Sequence, residues 1–208
     1  MIDKLKDMLQ MQESLEIRIG GDDWRNAGHD YPLAVYMEAA EIVEHVGWKW
    51  WKAHGEYDVN AVAMEIVDIW HFIMAFLLSE ERDIDVLAQD LYAVIRETEH
   101  EIIGRQLSIP MAAVGLSVLM VKDRTVAFGN FLVLCRAVDM DMDELYRLYI
   151  CKNVLNRFRQ DHGYTTGEYI KDWGGREDND VLYEIAEGLS TISSAVLYES
   201  LEKWYATL

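Results

Sequence analysis

Apolar residues recur at i, i+3, i+4 and i+7 in most windows of the chain, the spacing that gives a helix one apolar face. Clusters of Gly, Asp and Pro interrupt the pattern, and the interruptions predict seven or eight helices. The first covers about 3–19 and stops at Gly20-Gly21-Asp22-Asp23. The second begins after Tyr31, where Pro32 suits a first helical turn, and runs to about His54 before Gly55. The third, about 59–79, is apolar nearly all round, which assigns it to the middle of a bundle. Further helices are predicted at about 84–107, 110–122, 125–138, 142–160 and 180–205. Residues 163–179 (GYTTGEYIKDWGGREDN) lack helical periodicity and read as a long ordered loop, a kind that is usually functional and often a lid.

Composition sharpens this into an all-α reading. The chain has 208 residues, 51% of them hydrophobic and 27% charged, enough for a sizeable core in one domain over 1–208. Only two prolines occur, so few helices are interrupted and few turns of an all-β fold are available. A formal charge of -18 excludes a surface built to neutralise nucleic-acid phosphates or to bind an anionic membrane. An acidic protein that handles phosphates does so through bound cations, which directs attention to its acid clusters. Cys135 and Cys151 have neither the spacing of a zinc site nor the density of a disulfide scaffold, which points to the reducing cytoplasm. The N-terminus alternates charged and apolar residues, so no secretory signal is expected. The longest apolar run, 69–78, contains His71 and is shorter than the roughly 20 residues that span a bilayer, so the protein is expected to be soluble.

Glu38 and Glu41 stand three apart on the second predicted helix, and Glu65 and Asp68 three apart on the third. Each pair shares a helix face, and if the two helices pack antiparallel the four carboxylates converge. Convergent like charges between helices are tolerated when a cation neutralises them, and hard oxygen ligands suit Mg²⁺ or Mn²⁺. For Glu38 and Glu41 a solvated face accounts for the spacing equally well. Glu65 and Asp68 interrupt AVAMEIVDIWHFIMAFLL, where a solvated face is the weaker reading. A ferritin-like di-iron bundle is a rival metal reading, but Glu97–His100 is the one Glu-x-x-His pair, with Asp68–His71 its nearest companion.

The segment YICKNVLNRFRQD, if helical, sets Lys152, Asn156 and Arg159 along one stripe without competing acids, and Lys171 and Arg176 follow in the glycine-rich loop. Such donors opposite a metal cluster are a means of holding a polyphosphate.

Taken together, these motifs resemble the dimeric, all-α dUTPases within the all-α NTP pyrophosphatases. The resemblance rests on Glu38-Ala39-Ala40-Glu41 and Glu65-Ile66-Val67-Asp68, on Trp48-Lys49-Trp50-Trp51-Lys52, on EIVDIWHF, and on KNVLNRFRQDHGYTTGEYIKDWGGREDN from Lys152 to Asn179. It covers roughly the first 80 residues and about 143–182, with no comparable motif at 83–140. It implies Mg²⁺ on Glu38, Glu41, Glu65 and Asp68, and phosphates on Lys152, Arg159 and Lys171. It further implies a nucleotide lined by Asn153, Tyr164 and Asn179, with Gln12 meeting uracil and a homodimer as the assembly. The family usually continues Gln-x-x-Leu-Asn after that glutamine, whereas here Glu16 stands in place of Asn. Trp51 and His71 are further candidates for the ligand, each equally readable as a packing residue.

The expected chemistry is metal-assisted hydrolysis of dUTP to dUMP and pyrophosphate, with dUDP also cut and attack on the β-phosphorus implied by the resemblance. Glu41 is the candidate general base and Glu38 the second choice, with no covalent intermediate. The alternatives are a house-cleaning pyrophosphatase for another nucleotide and a non-catalytic binding module of the same fold.

Overall fold

The computed structural model describes residues 1–53, 55–80, 83–101, 108–120, 124–189 and 192–208, with the backbone alone at 99–101 and 124–126. The described residues form α1 (Ile2–Gly20), α2 (Tyr31–Val46), α3 (Val59–Leu78), α4 (Ile84–Glu101), α5 (Ile109–Met120), α6 (Arg124–Ala137), α7 (Met142–Asp161), α8 (Asp178–Gly188) and α9 (Ser194–Tyr205). A 3-10 turn, Trp24–Asn26, follows α1, and no strand occurs among the described residues. The all-α expectation holds.

Local chemistry sets several boundaries. Asp30, Asp58 and Asp141 each place a side-chain oxygen on the free N–H groups opening α2, α3 and α7. Pro32 sits in the first turn of α2, as its missing N–H and fixed φ allow. Two expectations need correction. The second helix stops at Val46 rather than near His54, because Gly47 adopts φ 78 and the chain turns. Trp48–Lys52 is therefore a turn, not a helix face, and His54 itself lies outside the described residues. The last predicted helix is two, α8 and α9, parted after Gly188. Two other expectations fall partly outside the described residues: the 102–107 end of the fourth helix, and His100 of the Glu97–His100 pair.

Helix α3 lies at the centre, packed against α1, α2 and α7, with Ile66, Val67, Ile69, Trp70, Met74 and Leu78 closed from solvent. By length and composition it alone among the described helices would suffice to cross a bilayer, a correction to the reading of 69–78 by itself; 67% of its most apolar window is buried in the bundle. Helix α7 is shared by two apolar clusters. Leu145, Leu148 and Tyr149 join the α3 core, and Val154, Leu155 and Phe158 join a second one with Trp173, α8 and α9. Met11, Tyr146 and Tyr183 pack against both. Trp173 anchors the 163–179 loop: it is buried, and its indole N–H donates to Ile170 O at 2.8 Å. This loop has turns and a single bridge, Asp172 to Glu177, as its regular structure.

Candidate functional site

Helices α2 and α3 pack side by side and bring three carboxylates together. One oxygen from each of Glu38, Glu65 and Asp68 lies within 4.8 Å of the others, all three half-buried. Glu41, one turn further along α2, is exposed and outside this cluster, although its charge bears on Glu38 and Glu65. Burial, the charge of Asp68 and a hydrogen bond with Glu65 push Glu38 up to about 8, and burial with Asp68 also raises Glu65. Three carboxylates gathered this closely offer the hard oxygen donors that suit a divalent cation. His45 Nε2 stands 3.3 Å from Glu65 Oε1.

The basic stripe meets acids that helix periodicity alone did not reveal. Lys152, buried on α7, points its Nζ at Asp68 Oδ2 (2.8 Å) and at Asn179 Oδ1 (3.3 Å). The amine thereby joins the carboxylate cluster to the first turn of α8. Arg159 donates from Nε and Nη2 to the two oxygens of Asp178, each at 2.8 Å, and from Nη1 to Asn156 Oδ1 at 3.1 Å. Asp178 is fully buried, and Tyr169 O–H also donates to it at 2.8 Å. Burial alone would raise Asp178, but Arg159 and Tyr169 hold it below the usual carboxylate range. The Tyr164 ring lies 5.7 Å from the Arg159 guanidinium. Lys171 is exposed and pairs with Glu177 at 3.4 Å. The expectation of donors without competing acids is thus corrected for Lys152 and Arg159, because tertiary packing supplies each with a carboxylate.

Between α3 and α8 opens a cavity of about 400 Å³ whose walls include Asp58, Asn60, Glu65, Arg176 and Asn179. It brings Glu65 of the carboxylate cluster into one cavity with Arg176 of the loop and Asn179 of α8, and its volume suits a nucleotide-sized ligand.

A second polar group lies behind α7. Gln12 is buried, Asn153 Nδ2 donates to the Tyr149 hydroxyl at 3.1 Å, and that hydroxyl reaches Gln12 Oε1 at 3.1 Å. His71 packs its ring 4.5 Å from Tyr149. Its Nδ1 donates to Val67 O at 2.9 Å, so Nε2 is an acceptor; it is buried and has no partner among the described residues. Burial pulls His71 down to about 4, so it is neutral. Trp51, in the turn after α2, meets Trp48 and Trp50 edge to face at 5.4 Å and is 60% exposed. Its place is at a surface turn, away from a helix face.

Sequence reasoning missed Asp178 and Tyr149. Tyr149 precedes Asn153 by one helical turn, so the stripe that singled out Lys152 could have found it. Nothing local singles out Asp178, whose partner is 19 residues away.

A family model described as dUTPase matches residues 4–164, more than half of the chain. The match takes in Gln12, all four candidate carboxylates, His71, Lys152 to Arg159 and Tyr164, and ends before Lys171 and Asn179. It also spans the 83–140 stretch in which no motif is recognisable. No curated protein matches the chain.

Proposed function

As the chain belongs to the all-α dUTPase family, whose members are dUTP diphosphatases, we propose that it hydrolyses dUTP to dUMP and pyrophosphate, and dUDP to dUMP and phosphate, in the groove between α2, α3, α7 and the 163–179 loop. The observation that carries this reading is the junction of Glu38, Glu65 and Asp68 with Lys152, an acid cluster continuous with a buried amine. Glu38, Glu65 and Asp68 would hold Mg²⁺, with Mn²⁺ as a substitute of the same donor preference. The metal supplies charge neutralisation on the phosphates and an acidified water.

The side chains account for the remaining steps. Glu41, exposed at the rim and free of the cluster, takes the proton from the attacking water, with Glu38 as the second choice. Lys152 turns from Asp68 to the phosphates, with Lys171 and the remaining N–H groups of Arg159 beside it. Asn156 fixes the Arg159 guanidinium. Tyr164, Asn179 and Asn153 line the nucleotide, Trp51 stacks at its rim, and Gln12 and His71 meet the polar edges of the nucleoside. Residues 163–179 close over the triphosphate and exclude water.

The test is product analysis with dUTP, dCTP, dTTP, UTP and dUDP, in Mg²⁺ and in EDTA. Magnesium-dependent release of dUMP from dUTP and dUDP is expected. Turnover confined to another nucleoside triphosphate would overturn the substrate, and no turnover of any would leave a binding role.

We further read 1–208 as one catalytic unit, since Met11, Tyr146 and Tyr183 bridge its two apolar clusters, and place it in the cytoplasm, where buried Cys135 and Cys151 stay reduced. The assembly proposed is a homodimer. Neighbouring helices α2 and α5 each leave an apolar stripe in solvent, Leu33, Tyr36 and Met37 on one and Met111, Val114 and Val118 on the other, all at least half exposed. A Tyr36→Glu, Val114→Glu variant should sediment at half the mass of the parent protein. An unchanged mass would put the interface elsewhere.

A further inference from the structure

Helix α9 stands beside the 163–179 loop as a fixed post. Leu197 and Leu201, one turn apart, are closed from solvent in the second apolar cluster, and Tyr205 follows one turn later on the same face. Tyr198, beside them, donates its O–H to Asp161 Oδ2 at 2.6 Å and lies 4.8 Å from the Arg157 guanidinium, so polar contacts as well as apolar ones fasten α9 to α7. The last turn of α9 then meets the loop. The Tyr205 hydroxyl accepts the Ile170 N–H at 3.0 Å, while the buried Trp173 indole donates to Ile170 O at 2.8 Å. Ile170 is thereby gripped at both of its backbone groups.

The neighbours of Ile170 carry that grip to the phosphate side of the groove. Tyr169 stacks its ring on Tyr205 at 5.4 Å with 4° between the planes, and donates its O–H to Asp178, the carboxylate that holds Arg159. It also meets the Tyr164 ring at 5.8 Å, and Tyr164 lies over the Arg159 guanidinium. On the other side, the Lys171 carbonyl accepts the Asp178 N–H at 3.1 Å. Arg159, Lys171 and Tyr164 thus take their places from a segment that Tyr205 holds. A tyrosine that only filled the apolar cluster would need neither a hydrogen bond to a loop amide nor parallel stacking on the ring whose hydroxyl reaches Asp178.

We propose that Tyr205 is a positioning residue for phosphate binding: its hydroxyl and ring fix the backbone at Ile170 and, through Tyr169 and Lys171, set the donors that receive the two terminal phosphates. The proposal rests on the reading of Arg159 and Lys171 as phosphate donors. Tyr205 acts through these neighbours rather than on the substrate, and it lies beyond residue 164, where the family match ends.

The test is equilibrium binding of pyrophosphate and of deoxyuridine at saturating Mg²⁺ to the parent protein, Tyr205→Phe and Tyr205→Leu, beside steady-state constants for dUTP. Loss of the hydrogen bond should weaken pyrophosphate at least about threefold in Tyr205→Phe, and loss of the stacked ring as well should weaken it about tenfold in Tyr205→Leu. Deoxyuridine carries no phosphate, so its Kd should stay within about twofold, and the dUTP defect should appear in KM with kcat kept, the mark of lost ground-state binding. Partial unfolding lowers the binding-competent fraction and moves both ligands together, so the ratio of the two affinities separates positioning from stability. A ratio unchanged in Tyr205→Phe overturns the proposal, and that variant decides alone if Tyr205→Leu fails to fold. Equal loss of both ligands in either variant also overturns it. A parent that binds pyrophosphate without cutting dUTP would remove the dUTP reading, and the same ratio would still judge Tyr205. A parent that binds no pyrophosphate removes the role of Tyr205.

Discussion

Replacing Glu65 by Gln or Asp68 by Asn is expected to lower kcat/KM for dUTP by about 10³-fold or more at saturating Mg²⁺. A metal site contributes several kcal/mol of transition-state stabilisation, and each ~1.4 kcal/mol is a factor of ten. Both residues belong to the cluster whose ligand atoms lie within 4.8 Å, and Asp68 also seats Lys152. Turnover within tenfold of the parent for either variant would remove the cluster from the mechanism. Stability of the metal-free protein should depend on pH through Glu38. Glu38 is raised from 4.5 to about 8, so between those values the folded, metal-free protein binds more protons than the unfolded chain. Stability is then greatest below about pH 4.5 as far as this group is concerned, and declines as pH rises toward 8. The raised Glu65 acts in the same sense. In EDTA, Tm should therefore fall across this window, and Mg²⁺ should restore it. At 100 times Kd the cation adds about 2.7 kcal/mol. A Glu38→Gln variant should show a flatter pH dependence, a higher Tm in EDTA near pH 8, and little response to Mg²⁺. Equal Mg²⁺ shifts in parent and variant would rule out Glu38 as a ligand.

Asp178→Ala should be the most destabilising single change outside the apolar cores. It leaves the buried Arg159 guanidinium without its two 2.8 Å bonds and removes the acceptor of Tyr169. Breaking a buried pair by deleting one partner costs about 3–5 kcal/mol, which for a chain of this size lowers Tm by roughly 10 °C. The 163–179 loop should become the first site of proteolytic cleavage, because Asp178 ties its end to α7 while Trp173 holds its middle. Asp178→Asn keeps the shape and part of the hydrogen bonding, so its loss should be smaller. A Tm within a degree of the parent for Asp178→Ala, with unaltered cleavage, would show that the pair does not secure the loop.

Much of the fold was legible in the sequence because it is written locally. Helical periodicity and Pro32 at a first turn are settled within a few residues of themselves. Where that failed, the deciding feature was also local but ambiguous. Gly47 ended α2 because it takes φ 78, a freedom glycine has but does not always use, and the aromatic run behind it then became a turn. Helix α8 ends at Gly188, with Leu189 extended, in a stretch whose apolar spacing continues on both sides.

The site divides along the same line. By itself the sequence determined an all-α chain, two carboxylate pairs on helix faces, a basic stripe on α7 and an irregular loop, since i, i+3 and i, i+4 neighbours are fixed by helix geometry. Tertiary structure alone decided that Glu38 joins Glu65 and Asp68 while Glu41 stays at the rim, that Lys152 and Arg159 meet Asp68 and Asp178, and that His71 and Tyr31 are buried with unpaired atoms. These outcomes depend on which faces of distant segments exclude water together. Desolvation, which raises the pKa of a glutamate and makes a buried arginine depend on its carboxylate partner, is a property of the packed interior that spacing along a chain does not encode.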